Sequence, residues 1–355
     1  MPEETPRPHR RRVRYSGTHP RRFEQKYKEL DPAKYADQIE HIIAKGLTPA
    51  GTHRPICVEE ILEILSPKPG ETAFDATLGY GGHARKLLPK LLPGGRYFAV
   101  DVDTVELPKT EARLRAEGYG PEVLTVRKMN YAGILGLLGE AGGGFDCVLA
   151  DLGVSSMQLD NPERGFTYKA DGPLDLRLNP ERGQPASEFI KAVTADKLRS
   201  ILEENADEPF AAQAAKAIKE APLPVKTTSG LAKAVRAGLA SVSPKLKEEE
   251  IKKSLQRVFQ ALRVEVNGEF SALDRFLEAL PWAVKPGGRI AILTFHSGED
   301  RRVKKSFFTG EEAGVYSSVA QTPARPSAAE RRSNPRSSSA KLRWAVRSDR
   351  PAGGS

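Results

Sequence analysis

"FDATLGYGGHARKLL", residues 74–88, reads as an apolar strand, a turn holding Gly79, Gly81 and Gly82, and the first turns of a helix. A strand that enters a helix through such a turn lets a bound group approach the main chain closely. Working outward, "GGRYFAVDVD" (94–103) is a second strand ending in carboxylates, "EVLTVRKMNYAGI" (122–134) a third, and "FDCVLADLGVSS" (145–156) a fourth. Strands alternating with helical stretches predict a doubly wound, mostly parallel α/β sheet. The alternation stops after residue 156. "NPERGFTYKADGPLDLRLNPERG" (161–183) is loop-like, and helical patterns then continue until "VKPGGRIAILTFHSGEDRRVKKSFF" (284–308) restores the sheet pattern. The expected organisation is a basic extension over 1–50 and a sheet domain formed by 51–156 and 256–320. A helical insertion takes 157–255, and a basic, flexible segment takes 321–355.

The 355 residues are 39% hydrophobic and 28% charged, an ordinary balance for a soluble globular chain. No apolar run approaches the roughly 18–20 residues that span a bilayer. The N-terminal stretch has no secretory pattern, so a cytoplasmic location is expected. Cys57 and Cys147 are the only cysteines and lack ligand-spaced neighbours, which argues against a disulfide framework or a zinc site. The net charge of +9 sits at the ends: residues 1–30 carry a surplus of five positive charges and residues 320–350 a surplus of six. Basic tails of this kind track a polyanion, or serve as solvated segments that aid solubility.

In an open parallel sheet a ligand sits beyond the carboxyl ends of the strands, where strand order reverses. The glycine turn, Asp101, Tyr131 and Asp151 are therefore expected around one crevice. A phosphate loop would end Gly-Lys-Ser/Thr, whereas this one runs Gly82-His83-Ala84. A dinucleotide fingerprint is matched only partly by Gly79-Tyr80-Gly81-Gly82-His83-Ala84. Asp101 suits ribose hydroxyls and fits NAD and S-adenosylmethionine alike. Asp75, just before the turn, would repel a pyrophosphate but could hold a methionine ammonium, directly or through water. Asp151 adds a carboxylate at the reacting end. These acids favour S-adenosylmethionine over NAD, while cap or turn roles remain open for Asp75 and Asp101.

These motifs, with "HRPICVEEIL", "ADLGVSSMQLDNPERGFTYKADGPLDLRLNPERGQPASEFI", "VFQALRVEVNGE" and "NPRSSSAKLR", closely resemble the MraW/RsmH family from about residue 53 to 346. The resemblance implies a Rossmann-like class I methyltransferase with an inserted helical domain. Its expected activity is methylation of a cytosine N4 amino group in 16S ribosomal RNA of the small subunit. It also implies a cofactor site in which Gly81, Gly82 and His83 form the loop and Asp101 binds ribose. Tyr131 would cover the adenine edge, and Asp151 and Gln158 would line the reacting end. The chain departs from the family pattern at Pro209, Ala212 and Gln213, where Lys216 is the remaining cation, and at Lys253 and Ser254. A paralogue acting on another RNA base, an oxidoreductase and a silent RNA-binding relative are the rival readings.

Methylating an exocyclic amine needs an acceptor for its N–H and close alignment. Asp151 is the expected acceptor, assisted by the hydroxyl of Ser155 or Ser156, with His296 completing the pocket; a helix N-cap is the alternative role for the serines. Phe166 and Tyr168 sit where a lid over a flipped base could lie, with Arg177, Arg182 and Lys216 as RNA contacts. No metal is expected, since Asp171 and Asp175 read as turn carboxylates.

Overall fold

The computed structural model describes residues 55–222, 224–242 and 244–349. The expected basic extension over residues 1–50 lies outside the described residues. The chain begins with α1 (Val58–Leu65), β1 (Thr72–Asp75), α2 (Ala84–Leu91), β2 (Arg96–Asp101), α3 (Leu107–Ala116) and β3 (Leu124–Lys128). A 3₁₀ turn (Tyr131–Leu137) and α4 (Leu138–Ala141) lead into β4 (Phe145–Asp151), which is followed by α5 (Ser156–Asp160). The insertion supplies α6 (Ala186–Ala192), α7 (Ala195–Ala206), α8 (Ala211–Lys219), α9 (Thr228–Leu239) and α10 (Glu248–Asn267). Then come α11 (Glu269–Ala283), β5 (Val284–Thr294), α12 (Ser297–Glu312), β6 (Tyr316–Val319), α13 (Ala328–Ser333) and β7 (Lys341–Arg347).

The seven strands lie in the order β3-β2-β1-β4-β5-β7-β6. The first five in that row are parallel, and β7 runs antiparallel between β5 and β6. The expected doubly wound, mostly parallel sheet is therefore what the chain forms. Its order reverses between β1 and β4. Alternate residues feed two cores, as the two-residue period of a strand requires. Phe74, Phe98, Val148 and Ile290 meet Phe276 of α11 on one face. Ala73, Tyr97, Cys147 and Ala291 meet Leu87 and Leu88 of α2 on the other. Among the described residues no helix is long and apolar enough to cross a membrane.

The insertion has a core of its own, built from residues such as Leu198, Leu202, Ala214, Leu231 and Leu255. The expected boundary at residue 255 falls inside α10, which runs unbroken for 20 residues. Phe259 and Leu262 still belong to the insertion's core, and the helix stops only at Gly268, whose φ of 59° favours glycine. Apolar spacing continues straight through residue 255, so the sequence pattern does not mark the end of the insertion there.

The expectation of a flexible basic segment over 321–355 is corrected by the sheet. Residues 341–347 are β7, wedged between two strands, and Ala324 bridges to Leu342 ahead of α13. Three of the cations that made this stretch resemble an RNA-tracking tail are engaged inside the protein. Lys341 and Arg343 each donate to Asp300 at 2.6 Å, and Arg347 donates to the carbonyls of Pro281 and Val315. Burial works to raise the Asp300 carboxyl, yet hydrogen bonds from Arg343 and Lys341 hold it below the ordinary carboxylate range. Its contribution is thus present above that range and lost as pH falls through the lowered value. Replacing Asp300 by Ala strands a buried guanidinium, and urea unfolding at pH 7 is expected to show a loss of about 3–5 kcal/mol.

Candidate active site

The carboxyl ends of β1, β2, β4 and β5 open into a crevice of about 1380 Å³, roofed by the insertion. The glycine turn is fixed from below. Gly79 N–H donates to Asp101 Oδ2 at 2.8 Å, and its carbonyl accepts from Thr110 Oγ1 at 2.6 Å. Gly79 and Gly81 have φ of 50° and 74°. A Cβ on Gly81 would meet Thr110 Cγ2 at 3.1 Å, so this glycine serves packing on α3, while Gly79, Gly82 and His83 line the crevice.

Asp101 closes β2 with its oxygens toward the crevice. Oδ1 accepts from Asp103 N–H at 2.9 Å and Oδ2 from Gly79 N–H, so each oxygen retains acceptor capacity for a further donor. Burial pushes its carboxyl up to about 6. Asp151 ends β4, its N–H donating to Thr77 Oγ1 at 2.7 Å and its carboxylate about one-quarter exposed. His83 Nε2 lies 3.5 Å from Asp151 Oδ2, within ion-pair reach but without a hydrogen bond's alignment, and is buried. Tyr131 lines the crevice and packs edge-on against Phe276 at 5.1 Å.

Of the remaining expected contacts, the three RNA-facing cations aside, Asp75 is placed elsewhere and the others line the crevice with partners of their own. Asp75 is 2% exposed and does not line the crevice. Its oxygens accept from Tyr97 OH at 2.7 Å and Thr77 N–H at 3.0 Å, because its position on β1 directs it into the core with Ala73 and Tyr97. Asp101 and Asp151 are the carboxylates of this set that line the crevice. Ser155 takes the N-cap role left open for it, at α5 in a capping box with Gln158, while Ser156 opens that helix, and both line the crevice. His296 lines the crevice with both ring nitrogens buried, Nε2 lying 3.2 Å from Glu299 Oε1 and the ring tilted against Phe270. Phe166 lines the crevice but is 5% exposed and packed in the insertion's core, with the Arg164 guanidinium 5.7 Å from its ring centre. Tyr168 lines the crevice beside Phe259, at 5.7 Å.

Of the three expected cationic contacts, Arg182 alone lines the crevice, at its exposed rim. Arg177 makes two 2.7 Å bonds to Asp175 and another to the Gly183 carbonyl. Lys216 is exposed on α8 but does not line the crevice. The Asp171 carboxylate accepts from Ser229 N–H.

Asp103, one of the carboxylates expected at the end of β2, ties the two halves together with Gln158, and Arg164, Arg263 and Asn267 join them although the sequence does not single these three out. Asp103, 2% exposed, accepts from Val105 and Glu106 N–H, from Gln158 Nε2 at 2.6 Å and from Arg164 Nη1 at 2.9 Å. Arg164 also donates to the carbonyls of Arg177 and Leu178 in the crevice wall. From α10, Asn267 donates to the Leu176 carbonyl and accepts from Leu178 N–H, which holds Leu176 at a φ of 63° unusual for a branched residue. Arg263 makes a bidentate pair with Glu269. The available signal was the spacing of Gln256, Gln260, Arg263 and Asn267, a polar line along one helix face.

The model of the MraW methylase family matches residues 50–348. The chain is 52% identical to "Ribosomal RNA small subunit methyltransferase H 1" of Lachnoclostridium phytofermentans, over 98% of this chain and 96% of that protein. It is equally 52% identical to "Ribosomal RNA small subunit methyltransferase H 2" of Alkaliphilus metalliredigens, over 95% and 97%. Among solved structures, a SAM-dependent O-methyltransferase of Thermotoga maritima is 11% identical with a TM-score of 0.38, covering 84% of this chain and 69% of that one.

Arg164→Met leaves the buried Asp103 one charged partner short. Chemical unfolding is expected to show a loss of about 3–5 kcal/mol relative to the parent chain. An unchanged midpoint would mean that the Arg164 pair contributes nothing to holding the wall on the sheet.

Proposed function

The chain belongs to the MraW methylase family, and from that premise we propose that it transfers a methyl group from S-adenosylmethionine to the N4 amino group of a cytosine in small-subunit ribosomal RNA. The observation that carries this reading is the pairing of Asp101 and Asp151 on either side of the glycine turn, around one crevice at the switch point. The acceptor capacity left on Asp101 suits the two ribose hydroxyls, and acids without a facing phosphate cradle suit a cation better than a diphosphate. When bound, S-adenosylmethionine supplies a methyl group activated by a positively charged sulfur.

The protein's own residues then do the following. Gly79 and Gly82 keep the loop open to close approach, and Tyr131 offers its ring to the adenine. Gln158, fixed by Asp103 and by its capping box, borders the reacting end with Asp151. A cytosine amine is a poor nucleophile because its lone pair is delocalised into the ring. The Asp151 carboxylate accepts an N–H of that amine, returns electron density to nitrogen and takes up the proton it releases. His83 positions Asp151 from the buried side. His296 contributes its ring as a pocket wall and directs Nε2 to Glu299, while Ser156 borders the same space. Tyr168 is the aromatic face for the extruded base, and Arg182 meets the flanking phosphates, with Lys216 widening the footprint. A ribosomal substrate accords with action in the cytoplasm.

Incubation with methyl-labelled S-adenosylmethionine and small ribosomal subunits, followed by nucleoside mass spectrometry, is expected to yield N4-methylcytidine. Asp151→Asn should lower kcat at saturating cofactor by at least about 100-fold; wild-type turnover by that variant would remove Asp151 from the mechanism. The pH dependence follows from Asp101. A raised carboxyl favours the ligand-free fold below the ordinary carboxylate range, and that contribution is lost as pH rises through about 6. Cofactor binding runs the opposite way, since the ionised form accepts both hydroxyls. The thermal shift caused by S-adenosylhomocysteine should therefore be larger at pH 7.5 than at pH 5.5, and Asp101→Asn should flatten that difference.

A further inference from the structure

Helix α10 directs Gln256, Gln260, Arg263 and Asn267 along the crevice at intervals of four, three and four residues. Two of these side chains are spent on the protein: Arg263 on Glu269, and Asn267 on the wall at Leu176 and Leu178. Gln260 is only half committed. Its Nε2 donates at 3.3 Å to the main-chain carbonyl of Asn205, near the end of α7. Asn205 is itself buried and fixed, its Nδ2 donating to the Ala261 carbonyl and to Glu265 Oε2, each at 3.2 Å.

This partner settles which end of the amide faces which way. A main-chain carbonyl only accepts, so the NH₂ end of Gln260 is the end held against α7. Among the described residues nothing donates to its carbonyl oxygen, and Gln260 lines the crevice beside Phe259 and Tyr168. A glutamine free to flip would serve an amino group and a keto oxygen equally. A glutamine tied by its NH₂ presents an acceptor, and an acceptor matches the amino group of cytosine while opposing the O4 of uracil.

We infer that Gln260 is the residue that selects an amino-bearing pyrimidine, its carboxamide oxygen accepting one N4–H while Asp151 accepts the other. The inference rests on the reading of the reaction given above and deepens it. The arrangement also separates substrate from product. The unmodified amino group has two N–H donors for two acceptors, whereas the methylated one has a single N–H and leaves an acceptor unmatched, which favours release.

The test compares the parent chain with Gln260→Met and Gln260→Glu. Methionine keeps size and removes the acceptor; glutamate keeps an acceptor and gives up the bond to the Asn205 carbonyl. Each is assayed for methylation of small subunits and for inhibition by matched particles whose target cytosine is replaced by uridine. The parent chain is expected to bind the cytosine particle about tenfold or more tightly than the uridine one. Gln260→Met should narrow that preference several-fold, the rest being kept by Asp151, which still opposes the uracil O4, and should reduce kcat/KM about 10- to 100-fold. Its response to S-adenosylhomocysteine should stay unchanged, and Gln260→Glu should retain the preference for cytosine. A purely structural role would make both variants equally poor and leave the preference intact. Parent-like discrimination by Gln260→Met, or loss of discrimination by Gln260→Glu as well, overturns the assignment to Gln260 while N4-methylcytidine still forms. If the parent chain forms no N4-methylcytidine, the reading of the reaction fails and this inference falls with it.

Discussion

Buried carboxylates at the ends of parallel strands are the constraint on which the rest of this molecule depends. Left bare, each would carry a desolvation penalty of several kcal/mol, so each has to be met by donors in fixed positions. Asp101 is met by the main chain at Gly79 and Asp103, which shapes the glycine turn. Asp103 is met by Gln158 and Arg164, which anchors the wall of the insertion. Asp75 is met by Tyr97 and Thr77. Satisfying these groups brings the sheet, the turn and the insertion to one crevice, and the carboxylate capacity that the protein leaves unused faces that space.

The same logic explains the division of labour along α10. One part of the helix completes the insertion's core through Phe259 and Leu262. Its other face carries polar groups that are either consumed in fastening neighbours or left with one functional end toward the crevice. A helix of 20 residues can do both because its faces repeat every three to four residues. The insertion is thereby joined to the sheet domain by hydrogen bonds that lie in the crevice wall itself.

Much of this was legible in the sequence. The apolar strands and glycine turn at 74–88, followed by Asp101 and Asp151, located the sheet and its crevice, because strand ends in a parallel sheet gather by topology. The side-chain partners were not legible. Nothing local in "NPERGF" says that Arg164 will reach Asp103, 61 residues away, and nothing in "DAT" says that Tyr97 will claim Asp75. Residues with ambiguous chemistry can be read only by type, and their neighbours decide: Arg177 bonds to Asp175, and Ser155 takes the cap, one of its two readings. The C-terminal stretch misled for the same reason, since charge counting cannot see that Lys341 and Arg343 converge on Asp300.

The acid-lined crevice between β1 and β4 is proposed to receive a positively charged methyl donor and not a diphosphate-bearing cofactor. Calorimetric titration of the purified chain at neutral pH with S-adenosylmethionine, and separately with NAD, tests it most directly. Saturable one-site binding of S-adenosylmethionine with no measurable heat from NAD is the predicted result. Saturable binding of NAD with none of S-adenosylmethionine would contradict it.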